Sequence, residues 1–119
     1  MRPFLPKVLL HLEGLTAGCA ALIVYHALEA SWLEFSVLLL GPDVAMLAYV
    51  FGKKIGAAVY NSVHTYTVVG AAWLVGRWTH WPEFSPLCVI WVAHIGFDRA
   101  LGYGLKYPSG FKDTHLGRV

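Results

Sequence analysis

Long apolar runs, each separated from the next by a short polar segment, make up most of this chain. Four of these runs are long enough to cross the hydrocarbon core of a bilayer, which takes about 20 helical residues. They cover residues 7–28, 33–52, 54–76 and 84–105, and a short tail follows at 106–119. Because the connections leave no room for another domain, the pattern predicts an all-α fold, a single four-helix bundle that spans a membrane.

Composition supports the membrane interpretation. Hydrophobic residues occupy 57% of the 119 positions and charged residues only 13%, and the mean hydropathy is +0.57. Soluble domains rarely combine these values, so the lipid bilayer is the predicted partner and a membrane, crossed several times, the predicted location. No stripe of basic and aromatic residues indicates a nucleic-acid partner, and homo-oligomerisation stays open.

Basic residues are distributed unevenly between the two sides of the predicted spans. With four spans, both termini lie on one side of the membrane. That side receives Arg2, Lys7, Lys53, Lys54, Lys106, Lys112 and Arg118. The opposite side carries only Arg77. Since positive charge is retained on the cytoplasmic side, both termini are predicted to be cytoplasmic.

Five carboxylates and histidines interrupt the apolar runs. They are Glu13, Asp43, His64, His94 and Asp98. At about 1.5 Å per residue, all five lie about 9 to 16 Å from the cytoplasmic ends of their spans. Helices packed at about 8 to 10 Å could bring them to one axis. Because ionisable groups inside a membrane are costly, this shared depth predicts one functional site.

Local spacing refines this site. His94 and Asp98 are four residues apart and Asn61 and His64 are three apart, so the members of each pair face the same way on a helix. Pro42, just before Asp43, removes a backbone donor, and the resulting kink would free carbonyl groups to bind ions or water.

A small-residue motif predicts how the first helix packs. Gly14 and Gly18 form a GxxxG pair, which allows another helix to approach closely. With small alanines also following Glu13 along the helix, this residue is predicted to face inward.

Carboxylates and neutral imidazoles together are typical ligands of zinc, manganese or iron. The predicted ligands of a divalent metal ion are Asp43, His64, His94 and Asp98. Glu13 would be a fifth ligand or the base that takes a proton from metal-bound water, and Asn61 a possible further donor. Arg99 would bind the charge of a phosphate or carboxylate. The leading hypothesis is therefore a metal-dependent hydrolase acting on a lipid-borne or small anionic substrate.

Other functions use the same residues. In a proton- or ion-coupled transporter they would be relay stations. In a non-catalytic membrane subunit they would form a satisfied polar network, with Arg99 neutralising Glu13 or Asp98. A di-iron oxidoreductase is disfavoured because the Glu-x-x-His pairs of four-helix di-iron proteins are absent.

The tail contains turn residues followed by charged residues between Tyr107 and His115. We expect a solvated segment, with a cap over the site as the alternative.

Four strings in the chain resemble a family of small bacterial membrane proteins known only as a domain of unknown function, DUF 4260. They are LLxLEGL (9–15), GPDxxMLxY (41–49), YNxxHTY (60–66) and HIGFDRALGYGLKYPSGFKDTHLG (94–117). This resemblance spans nearly the whole chain; it implies a location in a bacterial cytoplasmic (inner) membrane and no activity. Shorter elements, namely Pro-Asp at 42–43, His-Thr at 64–65 and the His94 to Asp98 pair, are similar to those of bacterial membrane-bound metal-dependent hydrolases, which implies hydrolysis.

Overall fold

A computed structural model describes residues 4–118, which are mostly helical. The helices and strands follow one another along the chain as α1 (Phe4–Ala27), α2 (Trp32–Leu38), a 3₁₀ helix (Gly41–Phe51), α3 (Lys53–Val63), α4 (Tyr66–Trp78), α5 (Phe84–Leu101), β1 (Lys106–Tyr107), β2 (Gly110–Thr114) and α6 (His115–Arg118). Helix α1 packs along α5, α3 packs on the 3₁₀ helix, and α4 packs on α5.

Within residues 4–118, three segments are long and apolar enough to cross a membrane: Leu5–Ala27, Trp32–Phe51 and Phe84–Leu101. Many of their large apolar side chains point outward, among them Leu33, Val50 and Leu101. A water-soluble monomer rarely exposes so much apolar surface. Length, composition and this outward apolar surface are those of a membrane protein.

Helices α1 and α5 meet at glycines. A Cβ atom built on Gly96 would lie 2.6 Å from the backbone nitrogen of Gly18 and 2.7 Å from the carbonyl oxygen of Gly14. Real Cβ atoms do not approach backbone atoms so closely, so only glycine fits here. The close approach predicted from the GxxxG pair is confirmed, with α5 as the partner helix.

Two predicted spans are not continuous α-helices. The run at 33–52 forms α2 and then a 3₁₀ helix, a geometry that rarely extends beyond a few residues. The run at 54–76 is broken at His64 and Thr65, because Thr65 is extended (φ −120°, ψ 137°). The first irregularity begins at the kink predicted for Pro42, whereas the break at Thr65 was not predicted, since hydropathy does not report backbone geometry.

The fourth predicted span is shorter than expected, and the tail is ordered. Helix α5 ends at Leu101 because Gly102 adopts the left-handed conformation, with φ 97°. The tail, expected to be a solvated segment, contains an antiparallel hairpin of β1 and β2, in which Lys106 and Thr114 are buried and Phe111 and Lys112 are exposed. The side-chain amide of Asn61 holds this hairpin on α3: it donates to the carbonyl of Lys106 at 2.7 Å and accepts from the Lys106 N–H at 2.6 Å.

Candidate metal centre

Four of the predicted site residues meet where the 3₁₀ helix, the end of α3 and the middle of α5 come together. They are Asp43, His64, His94 and Asp98, and their ligand atoms all lie within 4.8 Å of one another. Together they could hold a metal ion. The residues come from three separate parts of the chain, so the fold itself builds the group.

The orientation of His94 follows from Pro42. In a 3₁₀ helix each N–H bonds the carbonyl three residues earlier, as the Asp43 N–H does with Leu40 at 3.0 Å. The carbonyl of Leu39 would pair with residue 42, but proline has no N–H. That free carbonyl instead accepts a hydrogen bond from Nδ1 of His94 at 2.6 Å. The freed carbonyl predicted at Pro42 therefore binds a side chain of the site.

His64 is oriented by its own helix. Its Nδ1 donates to the carbonyl of Tyr60 at 2.9 Å, and its ring stacks on the Tyr60 ring with centroids 3.7 Å apart and planes 7° apart. In both histidines the proton is therefore on Nδ1, and in a neutral imidazole Nε2 presents a lone pair. Such a bond from the second nitrogen is the usual way that proteins fix a metal-ligating histidine.

Five of the six distances between the four ligand atoms are close to the edges of a coordination tetrahedron. The two Nε2 atoms are 3.1 Å apart, Oδ1 of Asp43 lies 3.2 and 3.1 Å from them, and Oδ2 of Asp98 lies 3.6 and 3.2 Å from them. Four ligands at about 2.0 to 2.1 Å from a tetrahedral ion are about 3.3 Å apart. Two facing lone pairs at 3.1 Å repel each other unless a metal cation or a proton lies between them.

Access to the centre is one-sided. The side chains of His64 and His94 are only 4% and 2% exposed, whereas those of Asp43 and Asp98 are 30% and 19% exposed. The imidazole side of the centre is therefore closed to solvent, and the carboxylate side, here called the carboxylate rim, is partly open. A water molecule or a substrate would reach an ion from the carboxylate side.

Side chains of α5 stabilise the break between α3 and α4. A helix end leaves carbonyl groups without intrahelical partners. The indole N–H of Trp91 donates to the carbonyl of Val63 at 2.6 Å, and the guanidinium of Arg99 donates to the carbonyl of His64 at 3.1 Å. These bonds replace those that a continuous helix would have made, and they fix the backbone that carries His64.

A family model described as "Domain of unknown function (DUF4260)" matches residues 7–119. The chain belongs to this family. No curated protein and no solved structure matches the chain. The resemblance to DUF4260 inferred from the sequence is confirmed. Three of its four strings contain the residues of the group, namely Asp43, His64 and the His94–Asp98 pair.

Two other predicted site residues lie elsewhere. Glu13 is exposed on α1 and is not part of the group, so the prediction that it faces inward is wrong. The guanidinium of Arg99 contacts the His64 carbonyl and lies 5.4 Å from the centre of the Tyr66 ring. Within residues 4–118 it forms no ion pair with a carboxylate, so it does not neutralise Glu13 or Asp98.

The hairpin brings residues near the centre that the sequence reasoning missed or left open. The sequence assigns Lys106 no role beyond the charge that indicates a cytoplasmic side, but its side chain is buried. Burial lowers the pKa of Lys106, while the negative charges of Asp98 and Asp43 oppose this shift. Nδ1 of His115 accepts the Leu105 N–H at 2.8 Å, and burial lowers the pKa of His115. His115 therefore joins the two ends of the hairpin and is not part of the group.

Proposed function

We propose that this protein is an integral membrane metalloenzyme, a hydrolase in which Asp43, His64, His94 and Asp98 hold one divalent ion. The observation that carries the proposal is the pair of histidines whose Nδ1 atoms are bound to carbonyl groups and whose Nε2 atoms lie 3.1 Å apart between two carboxylates. Zinc, manganese and iron accept this donor set.

An ion in this group would polarise the bond to be cleaved and lower the pKa of a bound water to about 7. The residues of the chain orient the ligands and leave the carboxylate rim open to the substrate. Glu13 stays a prediction, as a fifth ligand or as the base. Because it is exposed on α1, we expect the Glu13→Gln variant to retain the ion, and a loss of turnover would indicate the base role.

For the membrane we propose four passes with both termini cytoplasmic, in the inner membrane of a bacterium. Helices α3 and α4 would together make the third pass. Irregular backbone inside a bilayer is tolerated only where protein or a water-filled cavity covers it, and the bonds from Trp91 and Arg99 provide such cover here. A lipid-borne substrate suits a site within the membrane.

A proton or ion conduit is the second candidate. The observation that favours it is the direct contact of two buried histidines with two partly exposed acids, which is a geometry for proton relay. A conduit needs no bound ion for its function, whereas a hydrolase does.

Hydrolysis of para-nitrophenyl phosphate and para-nitrophenyl acetate by the purified protein separates these candidates. We expect the metal-loaded protein to hydrolyse at least one ester, the chelated protein to lose that activity, and added zinc or manganese to restore it. The Asp43→Asn variant should stay inactive even after metal is added. Glu83→Gln should hydrolyse the ester as the parent does, because Glu83 precedes α5 and is not part of the group. Equal rates with and without metal would reject the hydrolase and favour the conduit.

A further inference from the structure

Lys106 occupies an unusual position for a lysine. Its side chain is only 6% exposed, and lysines are almost never buried without a partner. Its backbone is fixed by the two hydrogen bonds to Asn61, one turn before His64 on α3. The hairpin therefore holds Lys106 in a defined place beside the metal centre.

The ammonium group lies between aromatic rings. Nζ is 3.8 Å from the centre of the Phe111 ring and 4.9 Å from that of Tyr60, and the Tyr60 ring also stacks on His64, with centroids 3.7 Å apart. Cation–π contacts stabilise the charge without using its N–H donors. Within residues 4–118, no hydrogen bond or ion pair to this ammonium is present.

A second donor without a partner belongs to the same aromatic cluster. The hydroxyl of Tyr49 is buried and has no hydrogen-bond partner within the described residues. The Tyr49 ring packs edge-on against Phe111, with centroids 5.3 Å apart, so Tyr49 and Lys106 contact the same ring. A buried hydroxyl without a partner destabilises the fold, and a ligand oxygen would supply the missing acceptor.

Charge also favours an anion here. The centre contains two carboxylates, Asp43 and Asp98, and both act electrostatically on Lys106. A divalent ion would cancel their two charges and would leave the positive charge of Lys106 without a counter-charge. In a site of low dielectric, such an uncompensated charge attracts one anionic group.

We propose that Lys106 and Tyr49 form an anion subsite beside the metal centre and that it holds a phosphate group of the substrate. The proposal rests on the proposed function, because the ion is what would neutralise the two carboxylates and leave the charge of Lys106 uncompensated. A phosphate monoester has three terminal oxygens, so it can accept from both the ammonium and the hydroxyl and retain one more oxygen, whereas a carboxylate has two. Arg99 is less suited, since its guanidinium already donates to the His64 carbonyl.

Inorganic phosphate is the probe for this subsite. Calorimetric titration of the metal-loaded protein in nanodiscs should show saturable binding, and Lys106→Gln should weaken it at least tenfold. Lys112→Gln is the matched control, because Lys112 is exposed on the same hairpin and should bind phosphate as the parent does. Lys106→Arg keeps the charge and should stay within a few-fold of the parent.

Tyr49→Phe is the second variant, since it removes one oxygen and leaves the packing on Phe111 in place. It should bind phosphate several-fold more weakly with an unchanged metal content. Parental affinity in both Lys106→Gln and Tyr49→Phe overturns the proposal. Loss of metal in Lys106→Gln together with parental affinity in Tyr49→Phe also overturns it, because Lys106 would then serve the fold.

The same titration distinguishes the sources of the phosphate and the two proposals. Displacement of bound phosphate by phosphatidic acid would assign the subsite to a lipid headgroup, and displacement by glycerol 3-phosphate alone would assign it to a soluble ester; displacement by neither overturns the proposal. A parent without metal rejects the proposed function, whereas a parent that holds metal and binds no phosphate rejects the subsite alone.

Discussion

The α1–α5 contact and the metal centre share helix α5 but are built in opposite ways. At the first, glycines let two regular helices touch through their backbones. At the second, the partners are irregular, a 3₁₀ helix and a helix that ends at His64, and side chains of α5 bond their free carbonyl groups. The regular contact makes the helix pair rigid. The irregular contact exposes backbone carbonyl groups that, in a regular membrane helix, would accept hydrogen bonds from the helix itself.

Gly96 tests the regular contact and should give the largest effect. In Gly96→Ala, the new Cβ would lie 2.6 to 2.7 Å from backbone atoms of α1. These backbone atoms cannot move away unless the two helices separate. We expect a loss of about 3 kcal/mol in the free energy of unfolding, as for strong overpacking. Thermal unfolding in detergent measures it. Gly70→Ala is the control, since nothing lies within 4 Å of its Cβ; an equal loss there would contradict the packing account.

Arg99 joins the two regions and should give a smaller effect. Its guanidinium satisfies the His64 carbonyl at 3.1 Å, so Arg99→Leu leaves a carbonyl unpaired, at a cost of about 1 to 3 kcal/mol. Arg77 is exposed, and Arg77→Leu should change the free energy of unfolding by less than about 0.5 kcal/mol. Chemical denaturation of both variants tests this ranking, and indistinguishable curves would argue against the role given to Arg99.

Pro42 tests the irregular region alone. Pro42→Ala restores an N–H that competes with His94 for the carbonyl of Leu39, so the His94 ring loses its orientation. Losing such a supporting bond typically weakens metal binding about tenfold, whereas the thermal stability should change little. Pro86→Ala, in the first turn of α5 where the N–H has no helical partner, is the control for metal titrations. If Pro42→Ala bound metal with the affinity of the parent, Pro42 would not be needed to orient His94.

The outer end of the hairpin should give the smallest effect. The Arg118 guanidinium and the Ser109 hydroxyl hold the pKa of Asp113 at about 2, below the usual 3.8. A depressed carboxylate pKa stabilises the fold above the unfolded value and loses that contribution as the pH falls toward 2. The protection of the β2 amides, which is the intrinsic exchange rate divided by the observed rate at the same pH, should therefore fall between pH 4 and pH 2 in the parent, and less so in Asp113→Asn. Identical pH profiles would rule out this contribution.

Much of the regular region was predictable, because apolar runs and a GxxxG pair follow directly from helix geometry. The convergence of Asp43, His64, His94 and Asp98 was also predictable, since depth along a helix is proportional to residue number. Depth alone did not give the direction of Glu13, which is exposed. The break at Thr65 and the docking of Lys106 depend on hydrogen bonds between distant segments, and hydropathy carries no signal for them or for the 3₁₀ geometry of residues 41–51.

Metal content tests the central claim most directly. Elemental analysis of the protein, purified without chelators, should find about one equivalent of zinc, manganese or iron per chain. His64→Ala and His94→Ala should each lose most of it, whereas His26→Ala and His80→Ala, whose histidines are exposed and outside the group, should keep it. A parent without metal, or His64→Ala and His94→Ala variants that bind as much as the parent, would contradict the metal centre and leave the four residues as a relay or a structural network.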